Sequence, residues 1–265
     1  VLGLHGPCAS YDTACSASLV GNHSNVRALQ RLECEAAMGA GVNMILDPGQ
    51  MRGNAIAGFT SVRGRSHTFD ARADGYARGE AIDAFTCRLR SDATAEGGID
   101  MLGSAVRQDG RSASLTAPSG QAQQGVLAAS FSDAKLALDD AAALEAHGTG
   151  TALGDPIEAG AVAAVFLAVR GVERDPFMLG SLKANAGHTE PGAGLAGALK
   201  LLVQLQRASM PPNAQLRRVN PHVSGTMRDK TTCALPTQVS GLAPGRLAGG
   251  VSSFGYSGTI AHLVL

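Results

Sequence analysis

Tryptophan is absent from this chain, and aromatic residues of any kind make up only 4% of its 265 positions. Charge is thin as well, at 17%, and the 22 basic and 22 acidic side chains cancel. A balanced surface offers no electrostatic footprint for a polyanion or an acidic membrane, so nucleic-acid binding is disfavoured. The five cysteines (Cys8, Cys15, Cys34, Cys87 and Cys233) are odd in number, scattered, and contain no C-x-x-C pair. That usage argues against a disulfide framework and a zinc site, and for a reducing compartment. The expected location is cytoplasmic, or a plastid if a transit segment precedes this sequence. The longest apolar run, Ala159 to Val169, falls short of the ~18 residues of a membrane span, so no membrane insertion is expected. The chain starts at Val1, with no signal peptide, and opens and closes in strand-like runs. We read it as a fragment of a longer protein.

What is plentiful is alanine and glycine, with 34 glycines in all. Low charge with many small residues predicts closely packed, buried elements of the kind found in layered α/β proteins. Along the chain the pattern predicts a helix from Cys15 to about Arg31 and a buried strand over Ala36 to Leu46, ended by Asp47-Pro48-Gly49. A loop-rich stretch follows over 50–80, then a strand over Ala81 to Leu89 and a polar connection from Arg90 to Gly98. Further strands are predicted over Ile99 to Gln108, Ala142 to Ala146, Phe177 to Leu182, Leu247 to Phe254 and Gly258 to Leu265. Helices are expected after Ser119 as N-cap, from Asp155-Pro156 (Asp as N-cap) to about Val169, and over Gly194 to Arg207. Strand–helix alternation closed by two strands argues for an α/β layered fold.

The chemistry centres on Asp12-Thr13-Ala14-Cys15-Ser16-Ala17-Ser18. An extended segment turns there into a helix, and the unpaired N–H groups of a helix start favour thiolate over thiol. Two histidines sit far downstream among equally small residues: His147 in Glu145-Ala146-His147-Gly148-Thr149-Gly150-Thr151, and His188 in Lys183-Ala184-Asn185-Ala186-Gly187-His188. Each follows a strand-like run, where ligand sites of open α/β sheets gather. One nucleophilic cysteine with two imidazoles suits acyl transfer through a thioester. Gly192-Ala193-Gly194-Leu195-Ala196-Gly197 matches G-x-G-x-x-G, yet no acidic residue follows ~20 positions on, so close helix packing is the better reading. His5, His23, His67, His222 and His262 are read as surface or structural, and Asp74 and Glu80 as loop-holding ion pairs. Asn22-His23-Ser24 fits a glycosylation sequon that the cysteine usage discounts.

These residues resemble a β-ketoacyl synthase, over essentially Gly6 to Leu265. The motifs are DTACSAS around Cys15, FDARADGYARGE from Phe69, EAHGTGTALGDPIE from Glu145, GSLKANAGH from Gly180, PPNAQLRRVNPH from Pro211 and SSFGYSGT from Ser252. The wording is closer to type I polyketide synthases than to free-standing fatty-acid synthases, with animal-type fatty-acid synthase as the alternative. The resemblance implies a thiolase-like layered αβαβα fold: residues 1–98 would be the end of a first half carrying the nucleophile, and 99–265 a complete second half carrying both histidines. It implies a homodimer, an acyl carrier protein as partner, and no cofactor beyond the phosphopantetheine arm that carries the substrates. By the same resemblance Cys15 accepts the acyl chain, and His147 and His188 assist decarboxylation of malonyl-carrier. Lys183 supports the site electrostatically with Glu190, and Thr149 and Thr151 bind pantetheine. Backbone N–H groups of Cys15 and Phe254 hold an oxyanion, with Phe254 also a gate. Two other readings stand beside this one, a partner that decarboxylates but does not condense and a truncated docking module. Ile260 departs from the family's usual Asn.

Overall fold

The computed structural model describes residues 3–90, 99–114, 116–227, 232–242 and 248–265. In chain order the elements are α1 (Ala17–Gln30), β1 (Ala36–Asn43), α2 (Pro48–Ile56), β2 (Ala81–Arg88), β3 (Gly103–Gln108), α3 (Gly120–Ala134), β4 (Ala141–Glu145), α4 (Gly154–Val162), β5 (Phe177–Gly180), α5 (Lys183–Ala186), α6 (Ala193–Arg207), β6 (Ser209–Met210), α7 (Pro221–Thr226), β7 (Cys233–Ala234), β8 (Ser240–Gly241), β9 (Ala248–Phe254) and β10 (Thr259–Val264). A six-stranded sheet runs β3-β10-β9-β4-β5-β7. Its β9-β4-β5-β7 portion is parallel, and β10 lies antiparallel between β3 and β9.

Both faces of that sheet are covered, which is what parallel strands demand. On one side α3 and α4 pack Leu127, Phe131, Val162 and Phe166 against Leu144 and Phe177. On the other, α1 and α6 pack Leu19, Leu195 and Leu201 against Val251 and Leu263. Beyond α1 lies the antiparallel pair β1–β2, in register Val42↔Ile82 and Ala40↔Ala84. The described residues thus form four layers, helix–sheet–helix–sheet. The expectation of a buried β1 is corrected, because its outer face is open: Met38 is 63% exposed, and Ile82 on β2 is 74% exposed. Only the face against α1 is covered.

Other boundaries differ from expectation for local reasons. The loop-rich stretch contains α2, because Asp47 accepts from the Gly49 N–H and Pro48 opens the helix; the same three residues that read as a stop are a start. Ser119 does cap α3, accepting from Ala122 N–H. Asp155 is not the cap of α4, a position that Leu153 holds, and that helix ends in a π-turn over Ala163–Leu167. Residues 91–98 and Leu247, where a polar connection and the start of β9 are expected, lie outside the described residues.

The glycine run at the head of α6 works by close approach. A Cβ on Gly194 would sit 2.5 Å from Leu19 Cγ and 3.1 Å from Ser18 Oγ, and one on Gly197 would sit 3.1 Å from Glu145 Cγ. Helix α6 therefore rests directly on the first turn of α1, where Ser18 Oγ accepts from Leu195 N–H at 3.0 Å. Asn22, of the apparent sequon, is buried in α1. Gly194→Ala should lower the denaturant midpoint, with ~1–3 kcal/mol of overpacking exceeding the helix-propensity gain of up to ~1 kcal/mol. A midpoint at or above the parent's would refute the close-packing account.

Candidate active site

Cys15 is placed by a strained turn. Ala14 adopts φ +52° with its N–H on Asp12 Oδ1 at 3.2 Å, and the chain then enters α1 directly after Ser16. Ser16 Oγ lies 2.8 Å from Thr259 O, and Ser253 Oγ donates to Cys15 O at 2.5 Å, so β9 and β10 hold the turn from beneath. Cys15 is 8% exposed. Burial pushes it up to about 12; Lys183 pulls the other way and Glu190 pushes further. The expectation of a resting thiolate is corrected here, because desolvation outweighs the N–H groups of the helix start.

His188 Nε2 lies 3.0 Å from Cys15 Sγ, and its Nδ1 accepts from the Glu190 N–H at 3.1 Å. His147 Nδ1 accepts from the Phe254 N–H at 3.3 Å. An Nδ1 that accepts leaves the proton on Nε2. The imidazoles meet edge to face, with centroids 5.6 Å apart. One ligating atom each of Cys15, His147 and His188 falls within 4.8 Å of the others. A metal here would need an Nε2 lone pair from each imidazole, where the backbone instead fixes protons; the donor set suits an oxyanion. Burial, aided by Lys183, lowers both imidazoles well below the usual range, so both are neutral near pH 7.

The loop after β4 is held by two buried carboxylates on α4 that the motif pattern alone does not single out. Glu158 accepts from the N–H groups of His147 at 2.7 Å and Gly148 at 2.8 Å. Asp155 accepts from Phe69 at 2.7 Å and Gly150 at 3.0 Å, which is why it turns inward instead of capping its own helix. Burial raises both to about 7. Thr149 and Thr151 hydroxyls lie 3.1 Å apart on the wall of a cavity of about 390 Å³ that also contains Cys15, His147 and His188.

Lys183 and Glu190, expected to support the site electrostatically, both act on the Cys15 thiol but have different neighbours. Lys183 is buried, and the carboxylates facing it are Glu145 and Glu158. Glu190 pairs with Arg78 at 3.1 Å, and it serves His188 through its backbone. The Phe254 N–H is taken by His147, and the N–H that faces the sulfur with that of Cys15 belongs to Tyr256. Phe254 is buried with Val126 and Ile260, while the exposed Tyr256 stands against Phe59, with centroids 5.7 Å apart, where both line the cavity. The chain turns directly after Phe254, so the sequence points to this segment without saying which amide meets the sulfur. Ile260 fills its site by apolar packing. The remaining histidines with contacts are structural: His23 Nδ1 lies 2.8 Å from Ser104 Oγ, and His262 Nδ1 lies 2.9 Å from Ser252 Oγ. Asp74 pairs with Arg63 at 2.9 Å, as expected, while Glu80 accepts from the Ile45 N–H.

Comparison with known families finds Beta-ketoacyl synthase, N-terminal domain, over residues 1–87, and Beta-ketoacyl synthase, C-terminal domain, over 100–217. The chain belongs to the β-ketoacyl synthase family. A phenolphthiocerol/phthiocerol polyketide synthase of Mycobacterium tuberculosis is 42% identical over 100% of this chain and 14% of its own length. The highly reducing polyketide synthase frbB of a Dothideomycetidae fungus is 40% identical over 99% of this chain and 10% of its own. Among solved structures, the ketosynthase from module 6 of the bacillaene synthase of Bacillus subtilis 168 superposes with TM-score 0.88 at 32% identity, over 96% of this chain and 46% of that one. An oxazolomycin ketosynthase domain from Streptomyces albus JA3453 gives 0.90 at 33%, over 98% and 46%. The chain therefore spans 14% of the mycobacterial relative and under half of each solved ketosynthase. Its α/β fold is the thiolase-like fold of ketosynthases, and its relatives are polyketide synthases.

A thiol raised to about 12 makes a direct statement about reactivity. Iodoacetamide labelling of Cys15, followed by peptide mapping to separate it from the other cysteines, should speed up by about tenfold per pH unit up to pH ~10. A rate already level between pH 7 and 8 would show a preformed thiolate.

Proposed function

We propose that this site performs decarboxylative Claisen condensation, joining an acyl group held on Cys15 to a malonyl unit carried by an acyl carrier protein. The observation that carries this reading is the pair of neutral imidazoles whose Nδ1 atoms are filled by backbone N–H groups, leaving two Nε2–H donors beside one cysteine sulfur.

In the first half-reaction the Cys15 sulfur attacks the thioester carbonyl of an acyl chain on a phosphopantetheine arm. The arm's sulfur departs and takes the thiol proton, leaving acyl-Cys15. A malonyl thioester then enters along Thr149 and Thr151, and His147 and His188 donate to its thioester carbonyl oxygen. Its C–CO₂⁻ bond breaks and CO₂ leaves, while the electron pair becomes an enolate stabilised by those two donors. The enolate carbon attacks the acyl carbonyl on Cys15, and the second oxyanion faces the N–H groups of Cys15 and Tyr256. Collapse expels the Cys15 thiolate, which is reprotonated from solvent, and the β-ketoacyl chain stays on the carrier. Neutral imidazoles suit this step, because a donor that keeps its own proton stabilises an enolate without quenching it.

Lys183, between Glu145 and Glu158, contributes positive potential to the same cavity. The polyketide synthases among its relatives favour polyketide over fatty-acid assembly, and the presence of Cys15 favours condensation over decarboxylation alone. We assign residues 1–98 to the nucleophile half and 99–265 to the histidine half of a homodimeric, cytoplasmic synthase.

Cys15→Ala should abolish chain extension yet still release CO₂ from a malonyl thioester. His147→Ala or His188→Ala should each slow that release by about 10²- to 10³-fold, the cost of one oxyanion donor. Continued extension by the cysteine variant, or an unchanged decarboxylation rate in both histidine variants, would overturn the assignment.

A further inference from the structure

Glu190 presents the N–H that fixes His188, and its own conformation is costly. It carries a β-carbon at φ +45° and directly precedes Pro191, a position biased towards extended backbone. A residue persists there only when its surroundings over-determine it. The surroundings are specific. Arg78 Nε donates to Glu190 Oε1 and Nη2 to Oε2, each at 3.1 Å, as a two-pronged fork. Asn54 Nδ2 donates to Oε1 at 3.2 Å. The Arg78 and Glu190 side chains are 4% and 9% exposed, so water does not compete with the fork.

The segment that carries Arg78 also grips His188 itself. His188 N–H donates to Ala77 O at 2.6 Å, and Gly79 N–H donates to His188 O at 2.8 Å. The Tyr76 ring stands edge-on to the imidazole, with centroids 4.8 Å apart. Residues 76–79 therefore hold the histidine's main chain and ring, and two of them reach past it to the carboxylate two residues on: Arg78 through its fork and the Tyr76 hydroxyl at 3.5 Å from Oε1. Neither Arg78 nor Glu190 lines the cavity.

We propose that the Arg78–Glu190 ion pair is a positioning clamp. It holds Glu190 in the left-handed region, keeps the Glu190 N–H on His188 Nδ1, and so keeps the His188 proton on Nε2, aimed at the sulfur and the incoming thioester. The inference rests on the functional reading above for its kinetic arm and on geometry alone for its tautomer arm.

Glycine separates backbone holding from charge, since it adopts positive φ without a β-carbon. Glu190→Ala should lower kcat for malonyl decarboxylation by about 10- to 100-fold at little change in KM, matching release of the strain. Its His188 ¹⁵N signals should move from a single Nε2–H tautomer towards a mixture. Glu190→Gly should retain at least about tenfold more activity than the alanine variant and keep the single tautomer. Arg78→Met should resemble Glu190→Ala, and the double variant Arg78→Met/Glu190→Gly should recover to the level of Glu190→Gly. Equal impairment of the glycine and alanine variants would overturn the clamp, because the carboxylate would then act through its charge. An unmixed Nε2–H tautomer in Glu190→Ala would overturn it as well, and this pair decides the matter even if Arg78→Met fails to fold. Absence of CO₂ release by the parent protein would instead sink the functional reading, with the ¹⁵N signals still testing the clamp.

Discussion

Two backbone N–H groups govern this cavity: those of Phe254 and Glu190, which fill Nδ1 of His147 and His188. A neutral imidazole has one donor and one acceptor nitrogen, so occupying one face decides what the other can do. With both Nδ1 atoms satisfied, two N–H donors converge beside Cys15. Had the same histidines been tautomerised the other way, the site would present two lone pairs and would favour a cation. The difference between an oxyanion site and a metal site is here a matter of which side the main chain approaches from.

The rest of the fold makes that approach repeatable. Strands β4 and β9 are parallel neighbours, so the His147 loop and the Phe254 amide emerge at the same end of the sheet. Helix α6, pressed on α1 through Gly194, brings the sequence just after His188 up to the first turn after Cys15. Glu158 and Asp155 then collect four loop N–H groups from one side of α4. Buried carboxylates used this way cost desolvation and hold the loop in one shape, which is where such groups are retained in protein interiors.

Much of this is legible because close backbone approach writes itself as small residues. Cys15, His147 and His188 stand out from the other histidines and cysteines by their neighbours, and the structure brings those three together. Ser119, with a helix-forming run behind it, announces α3 correctly. Failures come where the outcome depends on tertiary register. Asp47-Pro48-Gly49 reads equally as stop or start, and only the Asp47–Gly49 hydrogen bond decides. No local pattern announces that the Glu190 carboxylate is held by Arg78, 112 positions earlier in the chain. Phe254 ends β9 and Tyr256 lies in the turn just after it, so assigning the oxyanion N–H needs the placement of that turn over Cys15. The openness of β1 is equally hidden, since its alternating small and apolar residues fit a strand covered on one face or on two.

The same burial that raises the thiol also explains how a neutral resting site can be effective. At low effective dielectric, an N–H dipole fixed in place stabilises developing charge more than it would in water, and it needs no reorganisation when the charge forms. A permanent thiolate would spend that field on the resting enzyme. It would also strengthen the contact that His188 Nε2–H already makes with the sulfur, leaving less differential stabilisation for the enolate. Here the sulfur is held as thiol by desolvation, with Lys183 close enough to ease its ionisation during attack. The imidazoles are kept neutral by the same desolvation and by the same lysine. One buried cation thus assists the nucleophile and discourages protonation of the donors, two effects of the same sign for the chemistry. That economy holds while the charges of Glu145 and Glu158 favour the protonated lysine, and while the Glu190 carboxylate, whose charge opposes ionisation of the thiol, is neutralised by Arg78.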